Sequence, residues 1–114
     1  MSDELIKLKE WGCDVDGALE RMLDDEEFLL DCIKQVASDP SLDTLGTALE
    51  KENKEEAFDA AHTLKGIFAN TGLSPLFEVV VRIVEPLRAG RIENLLTIYQ
   101  ELLEKQSELL QILQ

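Results

Sequence analysis

Residues 60–72 read Ala60-Ala61-His62-Thr63-Leu64-Lys65-Gly66-Ile67-Phe68-Ala69-Asn70-Thr71-Gly72, and their spacing decides the fold. At 100° per residue, Ala57, Ala61, Leu64, Phe68 and Thr71 fall within roughly 80° of arc, flanked by Ala60 and Ile67. That is one helical stripe, not the alternation of a strand. His62, the single histidine of the chain, falls roughly 140° from the stripe centre. Glu55, Asp59, Gly66 and Ala69 share its outer side, with Lys65 at the border. The stretch predicts an amphipathic helix that buries Leu64, Ile67 and Phe68 and holds His62 in solvent with Gly66 open beside it.

Working outward, Asn53 followed by Glu56 supplies the helix start, and Gly72 the end. Upstream, Leu5, Leu8 and Trp11 form a short stripe closed by Gly12, and Asp14 or Asp16 can open a second short helix carrying Ala18, Leu19 and Met22. Asp24 with Glu27 resembles a capping box before Phe28, Leu29, Cys32, Ile33 and Val36. Asp39-Pro40 breaks the chain and starts a helix with Leu42, Leu45 and Leu49 inward.

Downstream, Ser74-Pro75 is read as a cap and first-turn proline. Leu76, Val80, Ile83 and Leu87 make helix the better reading of the β-branched run 79–84. Pro86 is expected to kink this helix or loosen its last turn, and Gly90 to end it. Ile92, Leu95/Leu96, Tyr99, Leu102/Leu103, Gln106, Leu109/Leu110 and Leu113 repeat in heptad fashion. The boundaries expected are short helices over 3–23 and bundle helices over 25–37, 41–51, 54–71, 75–89 and 92–113. The fold class is all-α: an antiparallel four-helix bundle with short N-terminal helices, one domain over 1–114. Trp11, Phe28, Phe58, Phe68, Phe77 and Tyr99 are assigned to its core.

Composition agrees: 45% hydrophobic residues with only 5% aromatic favours helices over sheets. A formal charge of −13 argues against binding nucleic acid or anionic membranes, which need basic surface. No run approaches a membrane span, and the charged N-terminus offers no signal-peptide core, so a cytoplasmic protein is expected. Cys13 and Cys32 form no metal or disulfide pattern. One histidine and two scattered cysteines supply neither a di-iron site nor structural zinc. Nucleotide-binding glycine loops and kinase signatures are absent, so no cofactor is expected.

The exposed face remains. Neutral imidazole is a nucleophile near neutral pH, and on a rigid helix a second protein can reach it. Lys65, one turn on, can pair with an added phosphoryl oxygen. Gly66 costs about 1 kcal/mol relative to alanine in a helix interior and leaves room for a close approach, which Ala69 extends.

His62-Thr63-Leu64-Lys65-Gly66, with Asn70 and Gly72, resembles the H-x-L-K-G-(x)5-G signature of histidine-containing phosphotransfer (HPt) domains. The likeness extends from Ala18-Leu19-Glu20-Arg21 and Asp24-Asp25-Glu26-Glu27-Phe28 to Val84-Glu85 and Arg88-Ala89-Gly90. It implies a phosphorelay carrier without kinase activity: His62 accepts a phosphoryl group, on Nε2, from one receiver's aspartyl phosphate and passes it to another. Lys65 stabilises the charge, Gly66 clears the approach, and any magnesium belongs to the receiver. Partners implied are response-regulator receivers or a hybrid histidine kinase, docking on Asp59, Ala69, Asn70, Phe77 and Val81, with the protein a monomer. Ile67, Val84 and Pro86 depart from the family's usual residues. Two other readings stay open: an HPt-fold interaction module without phosphotransfer, binding through Phe77, Val79 and Val81, and a domain that dimerises through the last helix.

Overall fold

Short polar side chains start the first five helices. Ser2, Asp14, Asp25, Asp39 and Asn53 each accept a hydrogen bond from an amide in the first turn that follows, satisfying a donor the helix leaves free. The structure, a computed structural model, describes residues 1–114. Its elements are α1 (Asp3–Trp11), α2 (Val15–Arg21), α3 (Glu26–Val36), α4 (Pro40–Glu50), α5 (Lys54–Asn70), α6 (Ser74–Arg88) and α7 (Leu95–Ile112), with no strand.

The bundle is α4 to α7. α5 packs on α4 and α6, α6 packs on α7, and α4 meets α7 to close the ring. α1 lies on α7, while α2 bridges α1 and α3. Five longer helices were expected for the bundle; α3 instead flanks it, joining the core through Leu29, Ile33 and Val36. Thirty buried apolar residues form one continuous cluster. On α5 its members are Ala57, Ala60, Ala61, Leu64 and Phe68, the stripe the periodicity predicts.

Two glycines allow close approaches. Gly46 of α4 lies against Tyr99 of α7, whose hydroxyl donates to the Leu42 carbonyl at 2.8 Å. Gly72 has φ +71°, a conformation that favours glycine. With Leu73 it returns amides to the Ala69 and Phe68 carbonyls, closing α5 in a Schellman turn. The Gly72 carbonyl then accepts from the Asp14 amide at 2.8 Å, which ties the α1–α2 connection to the end of the His62 helix.

Several local expectations change. Asp25, not Asp24, caps α3, because Leu23 and Asp24 reverse the chain at φ 56° and 60° while the Asp24 amide bonds the Leu19 carbonyl. Phe28 is 53% exposed, since only one side of α3 meets the core. Ser74 does not cap α6; it is already the first helical residue after Leu73, which makes no side-chain cap. Ile67 is half-buried rather than buried, lying at the edge of the stripe. The last turn of α6 is not loosened: the Pro86 carbonyl accepts from the Ala89 and Arg91 amides, and Gly90 bonds Leu87. α7 begins at Leu95 instead of Ile92, because Asn94 turns left-handed at φ 66°. Within the heptads Leu95, Tyr99, Leu102 and Leu109 are buried, whereas Leu96 and Leu110 are exposed.

Candidate functional site

α5 is held by core contacts along one side, so its outer side is a fixed platform. His62, Thr63, Gly66, Ala69 and Asn70 are exposed on it, with Asp59 one turn earlier. A Cβ added at Gly66 would meet nothing within 4 Å. The open space beside the imidazole therefore serves no internal packing.

The His62 ring stacks on Phe58, with centroids 5.6 Å apart and planes 22° from parallel. The spacing of four residues places the two rings on one face. Arg88 of α6 sets its Cζ 5.4 Å from the centre of the same phenyl ring, a favourable cation–π position. Arg88 Nε also lies 3.4 Å from Glu85 Oε2, and Glu85 Oε1 lies 3.9 Å from Lys65 Nζ. His62, Phe58, Arg88, Glu85 and Lys65 thus make a continuous array across the α5–α6 seam. Such surface pairs contribute only about 0–1 kcal/mol each, so they rearrange readily.

At the other end of the face, Arg21 donates from Nη2 to the Ala69 carbonyl at 2.9 Å and from Nε to Asn70 at 3.2 Å. A cation on these last carbonyls suits the negative end of the helix. Beside it opens a groove of about 520 Å³ lined by Arg21, Met22, Leu23, Asp25, Phe28, Cys32 and Asn70. Leu23 is 91% exposed at its rim. A smaller hollow brings Phe77 together with Ala69, Arg21 and Gly72. Val81 lines neither and is half-buried. Val79, needed for the apolar strip of the interaction-module reading, is buried at 6%, and Phe77 is only half-exposed, so α6 presents no such strip.

Glu55, Asp59, His62, Gly66 and Ala69, which helical spacing sets on one outer side, are exposed together, and Lys65, expected at the border, is half-buried there. Asn70, expected only as a docking residue, is exposed at the end of the same face. Phe58, Glu85, Arg88, Arg21, Leu23 and Phe28 were not expected at the site. Phe58 had a signal, its four-residue spacing from His62. The pairings of Glu85 and Arg88 depend on how α5 and α6 face each other, which spacing within one helix does not encode.

The two cysteines differ. Burial pushes the Cys13 thiol up to about 12, while Cys32 is partly accessible in the groove. No group of three or more His, Cys, Asp and Glu side chains converges as a metal site would require.

The structure is an acidic helical bundle that exposes its one histidine, with a lysine and a bare glycine one turn further along the same helix. A protein-family model described as Hpt domain matches residues 28–114, and the chain belongs to that family. Members carry phosphoryl groups on histidine in phosphorelays, without kinase activity, and interact with receiver domains and kinases. Comparison with curated proteins and with solved structures gives no match. The matched span leaves α1, α2 and the first two residues of α3 outside. No helix is long and apolar enough to cross a membrane.

Proposed function

We propose that the 114 residues act as one monomeric HPt unit in which His62 takes a phosphoryl group from a receiver's aspartyl phosphate and delivers it to a second receiver. The observation that carries this reading is the empty space at Gly66 one turn from an exposed imidazole. A glycine there costs helix stability, and an approaching partner is what gives that cost a use.

In the transfer the His62 Nε2 lone pair forms a bond to phosphorus as the phosphorus–oxygen bond to aspartate breaks. The carboxylate leaves with the bonding pair, and the ring proton stays on Nδ1. Lys65, three residues on along the same helix, supplies the cation that pairs with a phosphoryl oxygen. Magnesium resides on the receiver, and this chain contributes no metal ligand. The receiver seats over His62, Gly66, Ala69 and Asn70, with its apolar part on Leu23 and Phe28 beside the groove and Asp59 at the opposite rim. The continuity of that surface supports this placement.

Incubation with a phosphorylated receiver is expected to label the protein with an acid-labile, base-stable group that His62→Gln abolishes. Label retained by His62→Gln refutes the assignment.

A further inference from the structure

The carboxylate between two cations sets a property the phosphotransfer reading leaves open: how long the phosphoryl group stays. We infer that Glu85 is a positioning residue that holds Lys65 and Arg88 while His62 is bare and competes for them once it is phosphorylated, shortening the life of the phosphohistidine. This rests on the proposed phosphotransfer at His62.

The geometry divides Glu85 between the two cations, Oε1 toward Lys65 Nζ at 3.9 Å and Oε2 toward Arg88 Nε at 3.4 Å. One cation shares the histidine's helix, and the other is linked to it through Phe58. Lys65 is three residues on along α5, and Arg88 covers the phenyl ring on which the imidazole stacks. All three charged side chains keep solvent contact, with exposures of 30%, 53% and 50%. Their pairing is therefore loose and exchangeable. A phosphoryl group brings close to two negative charges and strong acceptor oxygens, and it draws cations from a single carboxylate. The carboxylate left behind still faces the phosphoryl group as a like charge. Asp59, on His62's own helix, adds to that negative field, so Lys65 and Arg88 are the cations that oppose it.

The consequence is a carrier tuned for release. A phosphoryl group shared with Glu85 is held less firmly than one that has both cations to itself, and it passes on or hydrolyses sooner. Removing the carboxylate charge frees both cations without touching the histidine.

Phosphoramidate serves as a partner-free probe. Its nitrogen–phosphorus bond breaks as the bond to His62 Nε2 forms, and ammonia leaves with the bonding pair. Phosphorylated wild type and Glu85→Gln are then followed by phosphorus NMR as the label decays. Glu85→Gln is expected to lengthen the phosphohistidine lifetime about two- to fivefold at low salt, with the difference shrinking as salt is raised. In a Lys65→Met/Arg88→Met background the same substitution should have a much smaller effect. Circular dichroism identifies a folding defect, and Glu85→Ala, which also removes the charge, replaces Glu85→Gln if the latter is unfolded; Glu85→Asp, which keeps the charge, is expected to decay like wild type. An unchanged or shorter lifetime in folded Glu85→Gln, a lengthened one in Glu85→Asp, or an undiminished effect in the double-methionine background overturns the inference while leaving His62 as the carrier. A wild type that takes no label on His62 from either phosphoramidate or a receiver overturns the phosphotransfer reading, and the role of Glu85 with it.

Discussion

Gly66→Ala should make the protein more stable and a poorer partner at once. Gly66 lies inside α5, and its φ is outside the left-handed region. An added Cβ meets nothing within 4 Å, so no packing penalty offsets the gain in helix propensity. That gain is about 1 kcal/mol, which for a chain of this size raises the Tm by roughly 3–6 °C. On the functional side, a side chain at 66 leans toward the preceding turn, the turn of His62. A methyl group intruding on a close-packed contact costs about 1–3 kcal/mol, so transfer from a phosphorylated receiver should slow about tenfold or more. Gly66→Leu should slow it further. Thermal unfolding by circular dichroism and the initial rate of label transfer measure the two arms. A Tm that falls or stays fixed refutes the helix argument. A raised Tm with full transfer rates in both variants refutes the claim that the open space admits a partner.

The same substitution at Gly46 should act in the opposite direction. Its Cβ would sit 2.5 Å from the Tyr99 hydroxyl oxygen and 2.7 Å from Cζ, displacing the ring and its bond to Leu42. Urea titration should show a loss of about 2–3 kcal/mol. Cys13, raised to about 12 from an ordinary 9.0, favours the folded protein fully below pH 9, where the thiol is protonated in both states. That contribution is lost as pH rises from 9 toward 12, because only the unfolded thiol ionises freely there. Cys13→Ala should flatten this alkaline decline in unfolding free energy, and native protein near pH 8 should react with iodoacetamide at Cys32 alone. Phe28→Asp, at an exposed position, should leave Tm within a degree or two of wild type yet weaken receiver binding at least tenfold by calorimetry.

Much of this was legible because the relevant physics is local. Asp39-Pro40 and Asn53 with Glu56 name their helix starts through hydrogen bonds that reach only a few residues, and α5 divides into buried and exposed sides from spacing alone. Adjacent acids defeat that logic. Asp24 and Asp25 both fit a cap, and the choice falls to the left-handed reversal at Leu23 and Asp24, held by a bond back to Leu19. Phe28 has an apolar side chain at helical spacing, but α3 presents only one narrow side to the core, and the phenylalanine is left outside. The last helix continues its heptad pattern upstream to Ile92, whereas the backbone turns at Asn94. Contacts between helices were hidden for a different reason. The pairing of Lys65 with Glu85 and the placement of Arg88 over Phe58 arise only when α5 and α6 are set side by side, and no spacing within either helix specifies that.

The grip of Arg21 on the Ala69 and Asn70 carbonyls bears on how the proposed receiver contact is divided along the chain. Arg21 lies before the residues that match the family, and the carbonyls it holds end the helix that bears the histidine. Grafting residues 1–27 onto another bundle of this kind would carry over a clasp and one wall of a groove together. Under the proposed docking, a recombination point near residue 28 would leave the histidine with the bundle and move Arg21, Leu23 and one wall of the groove with the N-terminal residues.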